Sequence, residues 1–175
     1  MSIDLPHEHS FSSPKRNRMP PPQKKPRMSI HTHAQAGDLA AIEKLLEEEE
    51  RVDIVDDTMD GQDETALHVA ARCGHCDIVE LLIKHGANVD ASQGRQWTPL
   101  HMAVANQRTL VARLLLDHGA EVDSRQDYQW TSLHLAAHYG FADVAELLIK
   151  HYDAEVDARE IERCTPLHFA VKEGH

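Results

Sequence analysis

Aromatic residues make up only 5% of this 175-residue chain, and it contains just three cysteines. The odd cysteine count, and a start at Met1–Leu5 too short and polar for a signal peptide, argue against a secreted disulfide framework. Reduced thiols and an intracellular address, cytoplasmic or nuclear, are therefore expected. No run approaches the roughly eighteen apolar residues of a membrane-spanning helix, so no membrane association of that kind is expected. There is no glycine-rich phosphate loop, no paired Ser/His/Asp arrangement and no carboxylate pair set apart from the acidic background. Nothing there supports catalysis, and no cofactor or metal is implied.

Basic charge is also scarce once the N-terminus is passed. Residues 1–30 hold six Lys/Arg against two acids, so the net charge of −11 leaves the remaining 145 residues at −15. Phosphates repel carboxylates, which makes that stretch a poor nucleic-acid ligand and a better match for a protein surface of basic or mixed charge.

Proline is concentrated at the start, at positions 6, 14, 20, 21, 22 and 26, with serines and charges between. Residues 1–28 show no helical or strand period and too little apolar surface to offset the entropy of ordering, so a disordered tail is expected. Within it, Lys15, Arg16 and Arg18 form one basic cluster, and Lys24, Lys25 and Arg27 a second after a proline-rich spacer. The pair resembles a bipartite nuclear-import signal; a solvated basic tail is the other reading.

What the chain does have is a period. The stretch Thr98–Asp123 has close copies opening at Thr65 and Thr131, and Thr165-Pro166-Leu167-His168 opens a fourth, at steps of 33, 33 and 34 residues. A fixed period of this length marks one folding unit stacked on copies of itself. Threonine before Pro99 or Pro166 signals a helix start, since its hydroxyl accepts an orphan N–H and proline tolerates the first helical position. Leu100, Ala103 and Val104 then form an apolar set at helical spacing. A second helix is expected to carry Leu110, Val111, Leu114 and Leu115 on one face and to end at Gly119 in the left-handed conformation. Two short helices cannot bury their apolar faces alone, so each unit must pack on the next.

The TPLH opening, the paired alanines, the Gly74-His75 turn, the Leu-Leu pair and the closing Gly-Ala-x-Val-Asp resemble ankyrin repeats from about Met28 to His175. The resemblance implies an all-α solenoid of stacked helix-turn-helix units with hairpin-like loops. About four full repeats are expected at 29–56, 60–91, 93–124 and 126–158, and an incomplete fifth at 160–175. It also implies that His68, His101, His134 and His168 are structural groups bonded to the motif threonine and nearby backbone, and that the chain binds another protein, most simply as a monomer.

Several features depart from the pattern. The first unit has a blurred opening: Ile30, Ala34, Leu39, Ile42, Leu45 and Leu46 are expected inward, with Gly37-Asp38 as its turn. An insertion is expected within Val52–Asp63. Gln107 replaces the glycine of Gly74 and Gly140, so either the turn changes shape or a non-glycine residue accepts a strained conformation. Tyr152-Asp153 replaces the single glycine at Gly86 and Gly119, with Asp153 the expected cap. Cys73-Gly74-His75-Cys76 spells a thiol-oxidoreductase tetrapeptide. That chemistry needs a low-pKa cysteine at a helix N-terminus on a βαβ scaffold, whereas here Gly74-His75 is the repeat's own turn. A catalytic role would otherwise require a larger protein of which these repeats are the recognition part.

The informative residues are those that vary while the frame repeats. In ankyrin proteins, partners meet the hairpin tips before the TPLH threonine and the exposed side of the first helix. In this chain these are Arg95, Gln96 and Trp97, then Tyr128, Gln129 and Trp130, with Asn106, His138, Tyr139 and Lys172 on the helices. Trp, Tyr and Arg are the types that most often dominate binding energy. A flat packing of Trp97 and Trp130 across the hairpins is the purely structural alternative. Asp60, Gln62, Asp63 and Glu64 make the first tip acidic, which favours a basic or mixed ligand.

Overall fold

The computed structural model describes residues 29–48, 56, 58, 59 and 62–175. The tail at 1–28 with both basic clusters, Asp60, and most of the insertion expected at Val52–Asp63 lie outside the described residues, as do the side chains of Gln62 and Asp63.

The elements follow as α1 (Ile30–Ala36), α2 (Leu39–Glu48), β1 (Thr58–Met59), β2 (Gln62–Thr65), α3 (Ala66–Cys73), α4 (Cys76–Lys84), α5 (Pro99–Ala105), α6 (Thr109–Asp117), α7 (Ser132–Tyr139), α8 (Ala142–Tyr152) and α9 (Pro166–Glu173). The two strands form one small antiparallel hairpin, with Thr58 opposite Thr65. Helices α1, α3, α5, α7 and α9 pack in an inner row, and α2, α4, α6 and α8 stand behind them in an outer row. The hydrophobic core is a seam between the rows. From the inner helices it takes Leu67, Leu100 and Leu133; from the outer ones Ile78, Leu82, Val111, Leu115, Val144 and Leu148. Each such side chain, once buried, contributes about 1.5–3 kcal/mol, and the contacts pass from one unit to the next.

Thr65, Thr98, Thr131 and Thr165 each form a reciprocal cap with the histidine three residues on. The helices are therefore started by the residues whose spacing defines the period. The first unit is less sealed: Ile30, Ala34 and Ile42 are buried, while Leu39, Leu45 and Leu46 are half-buried.

The face expected for α6 needs correction. Val111 and Leu115 are buried and Leu114 is half-buried, but Leu110 is 73% exposed, and the inward face is completed by Ala112 and Leu116. Leu110 occupies the first-turn position that Asp77 and Asp143 hold in α4 and α8, a place that looks outward. The neighbouring copies carry that information; leucine's hydrophobicity alone does not.

The departures at the turns resolve through backbone geometry. Gln107 adopts φ 54°, so the turn keeps its shape and glutamine takes the conformation that glycine takes at Gly74. For a residue with a Cβ that region is disfavoured by about 1–2 kcal/mol. Asp153 ends α8 with φ 53° and ψ 36°. The additional tyrosine, Tyr152, reaches back to α6, its hydroxyl donating to Asp117 Oδ1 at 2.5 Å. Cys73 ends α3 and Cys76 opens α4, so the CGHC stretch is the inter-helix turn of its unit.

Candidate functional site

The site is built from the loops that join each outer helix to the next inner one. In Gln93–Trp97 the two end residues exchange backbone hydrogen bonds, each 3.0 Å, around a loop of Gly94, Arg95 and Gln96. Gln126–Trp130 and Glu160–Cys164 keep one of these two bonds, with the Gln126 N–H donating to the Trp130 carbonyl (3.1 Å) and the Glu160 N–H to the Cys164 carbonyl (3.2 Å). Gln96, Gln129 and Arg163 take φ of 63°, 63° and 65° at the same place in each tip, and Gly94 adds a second positive φ of 45° in the first.

Side chains stiffen these loops from within. Gln126 Oε1 accepts from the Tyr128 N–H. Glu160 Oε1 accepts from the N–H groups of Glu162 (2.9 Å) and Cys164 (3.1 Å). Adjacent tips are tied by backbone, Asp127 N–H to Arg95 carbonyl at 3.0 Å and Ile161 N–H to Tyr128 carbonyl at 3.4 Å.

The capping histidines anchor the tips from below. The Thr98 N–H donates to His101 Nδ1 (3.3 Å), so Nδ1 is the unprotonated acceptor. His101 Nε2 then carries the proton and donates to the Trp130 carbonyl at 3.3 Å. His68 makes the same bond to the Trp97 carbonyl (3.0 Å), and His134 to the Cys164 carbonyl (3.3 Å). Each histidine thus links the start of its helix to the tip of the following unit. Burial holds His101 down at about 4, and lowers His68 and His134 in the same direction. They act as neutral struts.

On this frame a groove of about 660 Å³ runs along the inner row. Of the residues singled out by position in the repeat, Arg95, Trp97, Tyr128, Trp130, His138, Tyr139 and Lys172 line it together. Gln96 and Gln129 stand exposed at the loop apices and Asn106 at the end of α5, where its amide donates to the Met102 carbonyl (2.8 Å); these three are not part of the lining. Glu160, Ile161, Glu162 and Phe169 do line it and went unnoticed in the sequence. The period points to the first three, because Glu160–Cys164 is the next copy of the Gln126–Trp130 loop with Cys164 in the tryptophan's place; it does not mark Phe169.

The two indoles are set differently. Trp97 is half-buried with one ring neighbour among the described residues, His101, at 6.0 Å. Trp130 packs on Phe169 at 4.5 Å and edge-on to His138 at 5.3 Å, forming an aromatic floor across two units. Tyr128 is half exposed, and the Arg95 guanidinium carbon stands over its ring, 5.8 Å from the centroid. At the N-terminal end Glu64 is not an exposed tip acid: it is 7% exposed and paired with Arg72 at 3.4 Å.

The arrangement has the features of a recognition surface: rigid backbone, an aromatic floor and charged rims. Independently, a family model described as ankyrin repeats (3 copies) matches the chain over residues 30–126 and 121–175.

Proposed function

This chain belongs to the ankyrin-repeat family, a family of protein-interaction modules, and on that footing we propose that it binds a partner protein in the groove between its tips and inner helices and performs no reaction. The observation that carries this is the convergence on one groove of Arg95, Trp97, Tyr128, Trp130, His138, Tyr139 and Lys172, contributed by three consecutive units. A stiff stack holds these groups at fixed spacing, so little conformational freedom is lost on docking. The partner surface is of basic or mixed charge, in keeping with the −15 balance after residue 30.

The test compares proteins recovered by the intact chain with those recovered by a Trp97→Ala/Trp130→Ala variant. Hot-spot aromatics typically contribute 2 kcal/mol or more, so recovery should fall at least about tenfold. Tyr128→Ala, at a half-exposed tip position, should act in the same direction without disturbing the fold. Unchanged recovery with both variants places the contact surface elsewhere.

A nuclear regulator is the narrower form of the proposal and rests on Lys15, Arg16, Arg18, Lys24, Lys25 and Arg27. Lys24→Ala/Lys25→Ala should shift the chain out of the nucleus; an unaltered distribution removes the import role and leaves the binding role intact.

A further inference from the structure

The three tips carry different chemistry at one repeated position. Arg95, Tyr128 and Glu162 each stand one residue before the left-handed Gln96, Gln129 or Arg163, and all three line the groove. On the inner helices His138 and Lys172 also share a repeated position. Passing along the array, the groove therefore offers a cation, then aromatic surface, then a unit holding both a carboxylate and an ammonium.

These charges differ in what they already hold. Glu160 accepts two backbone N–H groups of its own tip and is 8% exposed, so it is committed to the loop. Glu162 and Lys172 offset one another in net charge. Arg95 makes no ion pair and no side-chain hydrogen bond among the described residues; its one partner is the Tyr128 ring. A guanidinium held over an aromatic face keeps its N–H fork for a planar anion, and carboxylates fit that fork with two parallel bonds. Of the basic or mixed surface proposed above, the same contact favours the mixed one at this point, since the Tyr128 face that would attract a ligand cation is already taken by Arg95.

We infer that the groove receives an extended peptide segment with an Asp or Glu side chain on Arg95 and a bulky apolar side chain on Trp130 and Phe169. This rests on the protein-binding reading above and names the chemistry of the partner. Neighbouring packed helices stand about 8–10 Å apart. A polyproline-II segment advances about 3.1 Å per residue and returns to the same face every third residue. The acid and the apolar anchor therefore sit three residues apart in the ligand. The rigid, internally bonded tips suit a preformed extended ligand, because neither side loses much freedom on docking.

The experiment is selection of short random peptides displayed against the full chain, followed by titration of the selected sequences. Trp97 and Trp130 are the only tryptophans, so their fluorescence reports occupancy in the wild type and in Arg95→Glu, and the anisotropy of a labelled peptide reports it for the Trp97→Ala/Trp130→Ala variant. Selected peptides should carry an acid three residues from a bulky apolar side chain. Arg95→Glu, an exposed change that leaves the fold alone, should weaken them about tenfold or more, the loss expected for one charge-assisted hydrogen-bonded contact. Replacing the peptide's acid with lysine should restore binding to that variant. Peptides that need Trp130 but carry no acid, or bind Arg95→Glu equally well, overturn this inference and leave the binding groove standing. Peptides indifferent to the Trp97→Ala/Trp130→Ala change, or no selection at all, overturn both.

Discussion

Lowering the pH from 6.5 to about 4 is expected to remove about 3 kcal/mol of folding stability through His101 alone. The side chain has no solvent exposure, and its neutral form is written into the bonds it makes. Nδ1 accepts the Thr98 N–H, and a second proton there would set donor against donor. Burial is the main reason its pKa falls from 6.5 to about 4, with the Trp130 carbonyl pulling the other way. A base whose folded-state pKa is depressed stabilises the fold fully above its unfolded value and loses that contribution as pH drops through the folded one. His68 and His134 are lowered by burial as well, and add to the loss in the same direction, although the Trp97 carbonyl and then Glu64 at His68, and the Cys164 carbonyl and then Glu160 at His134, soften it. Denaturant midpoints measured at steps through this range should fall as pH falls, with much of the fall above the range where carboxylates titrate. His101→Leu should be less stable at neutral pH, because Thr98 N–H and the Trp130 carbonyl lose their partner, yet flatter in its pH profile. A wild-type midpoint that holds steady from pH 6.5 to about 4 would refute the strut assignment.

The acid response shows which parts of this molecule could be read from residues alone. The Thr–His pairs are three residues apart, so their helix starts, and the two-row stack they imply, lie open in the period. The second bond of each histidine crosses to a carbonyl about thirty residues away, 29 from His68 to Trp97, and only the stacked geometry brings it within reach. The groove divides in the same way. Arg95, Trp97, Tyr128 and Trp130 stand out because they vary within a repeating loop. Phe169 supplies half of the aromatic floor, yet in the sequence it is one apolar residue on a short helix. Its role depends on α9 packing beside α7, a relation between units that no single copy contains. Glu64 fails in the opposite sense: its type suggests a wet tip, and its pairing with Arg72 turns it inward.

The sharpest contrast between residue type and place is in α6, and it yields the other large effect. Leu115→Ala is expected to destabilise the chain by about 2.7–5 kcal/mol, whereas Leu110→Ala should change it by about 0.5 kcal/mol or less. Leu115 is fully buried, with Val111 and Ala112 on the same face and α4 and α8 packed on either side. Truncation leaves a void that its close-packed neighbours cannot fill, so lost dispersion adds to lost burial. Leu110 is 73% exposed and has little burial to lose. Position in the array enlarges the first effect: α6 is an interior outer helix, and a stack held by nearest-neighbour interfaces transmits a central weakness to both flanks. The Leu115→Ala transition should therefore broaden as well as shift in urea, the flanking units no longer melting together. Equal effects from the two substitutions would mean that α6 is rotated from the orientation its buried face defines, and with it the register that sets Arg95 and Tyr128 above the groove.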